Sequence, residues 1–196
     1  MNIQRTDEEL MLSYKDGDKD AFEILYRRYE KPVLNLVYRM VMDSSEAESL
    51  CQETFYRVVK ARKRYKATAQ FKTWLFQIAL NLIRDRLRRM KHRSHHSLNA
   101  PIRSQEEEGL KIEDRLSDPN PSAASNLESG QLVSLVKAAI ASLPQEEHLV
   151  VVMREYQGMP YSEIAEVMGC PVGTLKSHNH RAHQKLKKIL SKYIGD

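Results

Sequence analysis

Apolar side chains recur every three or four residues along residues 6–95, and this spacing predicts a series of α-helices. The first predicted helix is capped by Asp7 and ends near Gly17. The second follows AFEILYRRYEKPVLNLVYRMV, with Pro32 as an expected kink, and the third opens with the cap-type residues Asp43, Ser44 and Ser45. The fourth is FKTWLFQIALNLIRDRLRRMKHR. The alternation and turn signals of β-strands are missing from this half of the sequence, so strands are not expected.

Each of these predicted helices has one apolar face, which identifies the side chains expected to be buried. They are Leu10, Met11 and Tyr14 in the first helix; Phe22, Leu25, Tyr26, Tyr29, Val33, Leu36, Val37 and Met40 in the second; Ala47, Leu50, Cys51, Phe55 and Val58 in the third; and Ile78, Leu82 and Leu87 in the fourth.

The helical pattern is lost over residues 96–128, where three prolines lie among Ser, Asn and acidic residues. Such a segment is too polar to bury itself, and a connector of this length is unusual inside one compact domain. We therefore predict a helical domain at 1–95, an acidic flexible linker at 96–128 and a second helical domain at 129–196. The expected fold class is all-α, with two small helical domains joined by an extended linker.

The second half contains the segment SEIAEVMGCPVGTLKS, which has the pattern of a helix-turn-helix with Gly169 at the turn. Asn179 falls where the apolar series of the following helix requires a hydrophobic residue. Its buried amide is expected to cost about 1–3 kcal/mol unless a neighbour satisfies it. The apolar positions of this helix are Leu175, Ala182, Leu186 and Leu190.

The net charge of +5 is unevenly distributed. Residues 1–95 contain 20 basic and 13 acidic side chains, residues 96–130 contain 3 and 7, and residues 131–196 contain 8 and 6. Two basic blocks on either side of an acidic connector indicate a polyanionic partner.

The two cysteines, Cys51 and Cys170, have no metal-ligand spacing and favour a reducing compartment over a disulfide framework. The sequence has no apolar run long enough for a membrane span, and its first residues lack the apolar core of a secretory signal. The expected location is the cytoplasm.

Histidines form the only pattern that suggests a metal, and no third ligand accompanies any of the pairs, so no metal is expected. Paired carboxylates, an activated nucleophile and a glycine-rich phosphate loop are all missing, so the sequence does not predict an enzyme or a cofactor. The histidines considered are His92, His95, His96, His180 and His183.

Several segments resemble the extracytoplasmic-function (ECF) group of bacterial sigma factors. They are GDKDAFEILYRRY, SEAESLCQETF and FKTWLFQIALNLIRDRLRR in the first half, and SLPQEEHLVVVMREYQGMPYSEIAEVMGCPVGTLKS in the second. The resemblance covers nearly the whole chain, and the order and spacing of the segments make it specific.

The resemblance implies a protein that binds core RNA polymerase and directs it to promoters without chemistry of its own. The first domain would bind the polymerase clamp coiled coil and would read and melt the minus-ten element. The second would read the minus-thirty-five element and contact the polymerase flap, and the linker would thread toward the active-site and RNA-exit channels. An anti-sigma factor that holds the protein inactive is a further expectation.

Under this resemblance, the loop before the fourth helix and the helix itself would contact melted DNA. Cations alternate with aromatic rings there, and flipped bases need stacking surfaces or pockets while their phosphates need cations. Asn81 would read a base edge, and the arginines of the helix would contact phosphates. Composition alone leaves open that Phe71, Trp74 and Phe76 are core residues and the arginines a solvated stripe. The candidates are Arg62, Lys63, Arg64, Tyr65, Lys66, Phe71, Lys72, Trp74, Asn81, Arg84, Asp85, Arg88 and Arg89.

The polar face of the third helix is, by resemblance, the polymerase-binding face. The family usually has Asp where this chain has Ser49, so the interface would lack one carboxylate. For Glu46 and Tyr56 an ordinary solvated helix face stays possible. The candidates are Glu46, Ser49, Gln52, Glu53 and Tyr56.

The resemblance makes the helix after Gly169 the recognition helix for the minus-thirty-five element. The family typically has Arg at 178 and 183 and a Leu-like residue at 179, where this chain has His178, His183 and Asn179. Since His lacks the fixed fork of Arg, we expect an altered preference and tighter binding at mildly acidic pH. The candidates are Thr174, Lys176, Ser177, His178, His180 and Arg181.

Two other functions stay open on the residues alone. A stand-alone regulator of the LuxR type shares the helix-turn-helix string, but it would need a ligand-binding or phosphoacceptor domain where this chain has a short basic helical half. A nucleic-acid-processing enzyme would have to use the histidines with a metal.

Overall fold

The computed structural model describes residues 5–96 and 126–193, with side chains placed for residues 5–92 and 132–193. The chain divides into two compact units, residues 1–116 and 117–196, and each is described by itself. All regular elements among the described residues are helical, which confirms the predicted all-α class. Most of the predicted linker at 96–128 lies outside the described residues.

Within residues 5–96, the described part of the first unit, the chain forms four α-helices and one short 3-10 turn. The α2 helix continues through Pro32 and ends at Val41, and the C-cap residue Met42 that follows has a left-handed φ of 56°. The elements are α1 (Asp7–Lys15), α2 (Lys19–Val41), α3 (Ser44–Ala61), the 3-10 turn (Arg62–Arg64) and α4 (Phe71–His96).

Side-chain caps fix where these helices begin. The α1 helix has a capping box, in which the Thr6 hydroxyl accepts from the Glu9 N–H and the Glu9 carboxylate accepts from the Thr6 N–H. The cap is therefore Thr6 and not Asp7, which is the first helical residue. Of the three predicted cap-type residues of α3, Asp43 is the cap, because its Oδ1 accepts from the Glu46 N–H at 2.8 Å.

The core of the first unit follows the predicted apolar faces of α1, α2 and α3, although Phe22, Tyr26 and Leu50 are only half-buried. The prediction was less accurate for α4, where Ile78 and Leu87 are half-buried. Because α4 packs against α1, α2 and α3, its buried stripe is wide and is centred on other positions. The buried residues of α4 are Phe71, Thr73, Leu75, Phe76, Ala79, Leu80, Leu82 and Ile83.

Over residues 126–193, the described part of the second unit, there are four α-helices and a π turn, and the last two helices form the predicted helix-turn-helix. The turn between the two helices of the helix-turn-helix has Gly169 at φ 67°, a left-handed conformation that glycine adopts without strain. The elements are α5 (Asn126–Ala141), α6 (Gln145–Val151), the π turn (Val152–Tyr156), α7 (Tyr161–Met168) and α8 (Val172–Leu190). The α5 helix therefore begins three residues before the predicted domain start at 129.

The core of the second unit surrounds α6, in which every residue from Glu147 onward is buried. From α8, Leu175 and Ala182 are fully buried as predicted, whereas Leu186 and Leu190 are half-buried. Within the described residues, no helix is both long and apolar enough to cross a membrane.

Candidate nucleic-acid interfaces

The segment at residues 65–70, called the pocket loop below, connects the 3-10 turn to α4 and forms part of a pocket of about 340 Å³. This volume lies in the range of small-molecule sites, so the pocket is large enough for one nucleobase. Trp74 is half-buried and closes one side, with its ring centroid 5.2 Å from that of Tyr65. The lining residues are Ala61, Arg64, Tyr65, Lys66, Thr68, Ala69 and Trp74.

Two of the aromatic rings predicted to contact DNA belong to the core. Tyr65 is 4% exposed and Phe71 is 1% exposed, so neither ring has a free face on which a base can stack. Their centroids lie 6.3 Å apart, and Tyr29 packs against Phe71 at 5.6 Å. Burial raises the pKa of Tyr65 to about 12, with the Glu8 and Asp7 charges as further causes. Of the three aromatic rings predicted to contact DNA, Trp74 is the one that is partly exposed to the pocket.

The cations near the pocket differ in their availability. Lys63, Arg64 and Lys66 are exposed, as electrostatic contact with phosphates requires. Arg62 is half-buried, with its guanidinium carbon 5.3 Å from the centroid of the Tyr14 ring, and Lys72 is also half-buried. Three of the five predicted cations therefore present open charge at this surface.

The predicted polar stripe of α4 lies on one side of the helix and is unevenly exposed. Asn81, Arg88 and Arg89 are exposed, whereas Arg84 and Asp85 are half-buried. The Arg88 Nη2 atom donates to Asp85 Oδ1 at 2.9 Å, so part of the Arg88 charge is neutralised within the helix.

On α3, Glu46 has an internal partner. Its carboxylate accepts from the Arg86 guanidinium of α4, and both side chains are largely buried. The Arg86 Nε atom is buried without a hydrogen-bond partner in the part of the chain that the structure describes. This ion pair joins α3 to α4, a structural role that no short-range pattern in the sequence indicates.

The other candidates on α3 are accessible. Ser49, Gln52 and Tyr56 are exposed, and Glu53 is half-buried. The Ser49 hydroxyl donates to the Ser45 carbonyl, and Glu53 accepts from Arg57 Nε at 2.8 Å. The Lys60 ammonium lies 4.5 Å from the centroid of the Tyr56 ring. Ser49, Gln52, Glu53 and Tyr56 thus form one polar face of α3.

The candidates on α8 are accessible, and Arg181 has two internal contacts. Thr174, Lys176, Ser177, His180 and Arg181 are exposed, and His178 is half-buried. Arg181 Nη2 lies 3.0 Å from His178 Nδ1. Because an arginine guanidinium can only donate, His178 Nδ1 is the acceptor in this contact.

The second contact of Arg181 is with Glu147 of α6, a residue that the sequence analysis did not single out. Glu147 is 5% exposed, and both of its oxygens accept from Lys185 Nζ at 2.9 Å. Arg181 Nε lies 3.6 Å from Glu147 Oε1. Two cations of α8 therefore fix this helix to a buried carboxylate, and burial of a charge requires such pairing.

Asn179 occupies the inner side of α8, in agreement with the sequence analysis. The residue is half-buried, and its Oδ1 is buried with no hydrogen-bond partner among the described residues. The apolar residues of the same face, Leu175 and Ala182, are fully buried beside it in the helix.

The histidines do not assemble into a metal site in the described part of the chain, where no group of three His, Cys, Asp or Glu side chains converges. His92 is exposed at the end of the described side chains of α4, and those of His95 and His96 lie outside them. His183 Nε2 lies 3.8 Å from Glu155 Oε1, a contact too long for a hydrogen bond.

Both halves of the chain match known families. The family described as Sigma-70 region 2 matches residues 25–93, and the family described as Sigma-70, region 4 matches residues 134–186. The first match includes the pocket loop, α3 and most of α4, and the second includes the helix-turn-helix.

Individual proteins are similar along nearly their whole length. The chain is 30% identical over 196 residues to the RNA polymerase sigma-H factor of Pseudomonas aeruginosa, with 100% of both chains covered. It is 32% identical over 186 residues to the ECF RNA polymerase sigma-E factor of Escherichia coli, which covers 95% of each chain. The sigma factor RpoE of Bartonella quintana, solved in complex with the anti-sigma factor NepR, shares the fold with a TM-score of 0.65 at 20% identity, over 87% of this chain and 96% of that chain.

Proposed function

The chain belongs to the sigma-70 family, in the ECF group of RNA polymerase sigma factors, and we propose that residues 1–95 and 129–196 divide promoter recognition between them. The protein is an ECF sigma factor that binds core RNA polymerase and directs it to promoter DNA. A stand-alone LuxR-type regulator is not favoured, because the region 2 match fills the half where such a regulator would need its sensory domain.

The minus-ten element is read at the pocket loop. The observation that supports this is a pocket of nucleobase size with Trp74 on one side and exposed cations at its rim. A base extruded from the melted strand would enter the pocket, and its phosphates would lie against Arg64 and Lys66. Asn81, Arg88 and Arg89 extend the contact along α4. The buried rings of Tyr65 and Phe71 support the side of the pocket that Trp74 forms.

Core polymerase binds the polar face of α3, through Ser49, Gln52, Glu53 and Tyr56. The Glu46 carboxylate is paired with Arg86 and largely buried, so its contribution to binding the partner is small compared with that of the exposed Gln52. The minus-thirty-five element is read by α8, with Lys176, Ser177 and His180 on the exposed side.

Four further assignments complete the proposal. The protein performs no chemistry of its own, and it acts in the bacterial cytoplasm, where core polymerase is found. An anti-sigma factor is a partner, as the complex of the Bartonella relative with NepR suggests. The acidic segment 96–128 follows the channel that later holds RNA, since its charge resembles that of nucleic acid.

The test is run-off transcription with purified core polymerase and fragments of the source genome. We expect transcripts from a small set of fragments when the protein is added, and little specific DNA binding by the protein alone. Lys66→Met should lower the yield about tenfold through loss of a phosphate contact and its counterion release. Lys19→Met, at another exposed lysine of the same unit, is the matched control and should leave the yield unchanged. Equal yields with and without the protein would contradict the proposal.

A further inference from the structure

The pocket loop is held at both of its ends by one helix that is distant in sequence. At the first end, Lys15 Nζ donates to the carbonyl oxygen of Tyr65 at 3.0 Å. At the second, Glu8 Oε1 accepts from the backbone N–H of Phe71 at 2.7 Å. Glu8 and Lys15 both belong to α1, 63 and 50 residues away from their partners along the chain.

The spacing of these two residues on α1 suits this arrangement. Seven residues are about two turns of α-helix, so Glu8 and Lys15 lie on nearly the same side and roughly 10 Å apart along the axis. A single rigid element therefore fixes the distance between the two ends of the pocket loop. Both hydrogen bonds involve a charged group and are partly buried, which makes them stronger than neutral surface contacts.

The contact of Glu8 has a second consequence for α4. The Phe71 N–H is one of the first amides of that helix, which have no partner inside it. A carboxylate at this end also interacts favourably with the helix dipole. Glu8 therefore fixes the start of the helix that carries Trp74, one turn further on.

The α1 helix is itself firmly attached to the unit. The Asp7 carboxylate accepts from the Arg28 guanidinium and from the Tyr29 hydroxyl, both on α2. Leu10 and Met11 of α1 are buried in the core. The loop ends are consequently tied to the core and not to a loosely held terminus.

We propose that Glu8 and Lys15 are positioning residues for the minus-ten pocket, and that α1 sets the shape of the pocket loop before DNA arrives. The inference rests on the proposed function of that pocket. Neither residue needs to touch DNA. A pocket that is already formed captures an extruded base without the cost of ordering the loop.

The variants remove each contact with little other change. Lys15→Met keeps the aliphatic stem and removes the donor, and Glu8→Ala removes the acceptor. Glu8→Gln keeps a carbonyl oxygen that can still accept, so it should give an intermediate result. Lys19→Met replaces an exposed lysine outside these contacts and is the control.

The first measurement uses the full chain without DNA. Trp74 is the only tryptophan in the sequence and lines the pocket, so its fluorescence reports on the pocket alone. We expect increased quenching by acrylamide in Lys15→Met and Glu8→Ala, a smaller increase in Glu8→Gln, and no change in Lys19→Met.

The second measurement uses the holoenzyme and a single-stranded oligonucleotide with the minus-ten sequence of a promoter found by run-off transcription. The same oligonucleotide with an abasic site at one position at a time is compared with it. For the unchanged protein we expect about tenfold weaker binding when the captured base is missing. In Lys15→Met and Glu8→Ala this ratio should fall to about twofold, because the intact oligonucleotide loses affinity and the abasic one does not.

The outcomes separate the two proposals. Variants that melt at a lower temperature but keep the ratio and the Trp74 quenching of the unchanged protein would overturn the positioning role alone. A holoenzyme that transcribes but shows no abasic effect at any position would overturn the pocket as the base site, and with it this inference. Failure to transcribe from any fragment would instead contradict the proposed function.

Discussion

The substitution Asn179→Leu should stabilise the second unit. It replaces an amide on the inner side of α8 with an apolar side chain of similar size. The Oδ1 atom of Asn179 is buried and has no hydrogen-bond partner among the residues that the structure describes. Leu at this position would continue the apolar face that Leu175 and Ala182 form.

The expected gain follows from the cost of the unpaired carbonyl. A buried polar group without a partner costs about 1–3 kcal/mol, and we take about 1 kcal/mol because the residue as a whole is only half-buried. For a unit of this size, 1 kcal/mol raises the melting temperature by about 4–8 °C. The change should be confined to the second unit.

Differential scanning calorimetry can follow the transitions of the two units, and Trp74 fluorescence follows the first unit alone, since the chain has no other tryptophan. The Trp74 transition should stay where it is while the second calorimetric transition rises. Gln184→Leu, at an exposed position of the same helix, is the control and should change stability by no more than about 0.5 kcal/mol. An unchanged or lower melting temperature in Asn179→Leu would mean that the amide is satisfied and that the reasoning is wrong.

Three further predictions concern other contacts. Glu46→Gln should lower the stability of the first unit by about 1–3 kcal/mol in urea unfolding, because it leaves the charge of the largely buried Arg86 unpaired. The double variant Glu46→Leu, Arg86→Met should stay within about 1 kcal/mol of the unchanged protein, and an equal loss of stability in both variants would contradict the role of the ion pair. Burial, followed by the charges of nearby glutamates, raises the pKa of Cys51 to about 12, so the contribution of the buried thiol to stability is complete below pH 9 and is lost as the pH rises from 9 to 12. The unfolding free energy of Cys51→Ala should therefore fall less over that pH range than that of the unchanged protein, and an equal fall in both proteins would refute this. Lys176→Met should weaken holoenzyme binding to a promoter and reduce the salt-dependence slope by about 0.9, as one lost phosphate contact requires, and an unchanged slope would remove Lys176 from the interface.

Local patterns predicted much of the fold. The apolar spacing located the helices, the cap-type residues Asp43, Ser44 and Ser45 located the start of α3, and Gly169 was recognised as the turn of the helix-turn-helix. These features depend on residues within a few positions of one another, which is the range that periodicity and capping rules cover.

Features that depend on distant residues were not predictable in the same way. The sequence identifies Tyr65 and Phe71 as aromatic residues, but only the structure shows that they are buried. Phe71 packs against Tyr29, and Tyr65 packs against Phe71. The buried carboxylate of Glu147 likewise depends on Lys185, 38 residues away. A charged residue in a short helix is normally expected at the surface.

The connections between the first helices are very short, and this bears on how the first unit folds. Only residues 42–43 separate α2 from α3, and residues 16–18 separate α1 from α2. Contacts among these three helices therefore form between nearby segments at a small cost in chain entropy, whereas the docking of α4 onto Glu8 closes a loop of more than 60 residues. We expect α1, α2 and α3 to associate first and the Trp74 pocket to form last. In a refolding experiment, Trp74 fluorescence should then lag behind the recovery of helical circular dichroism.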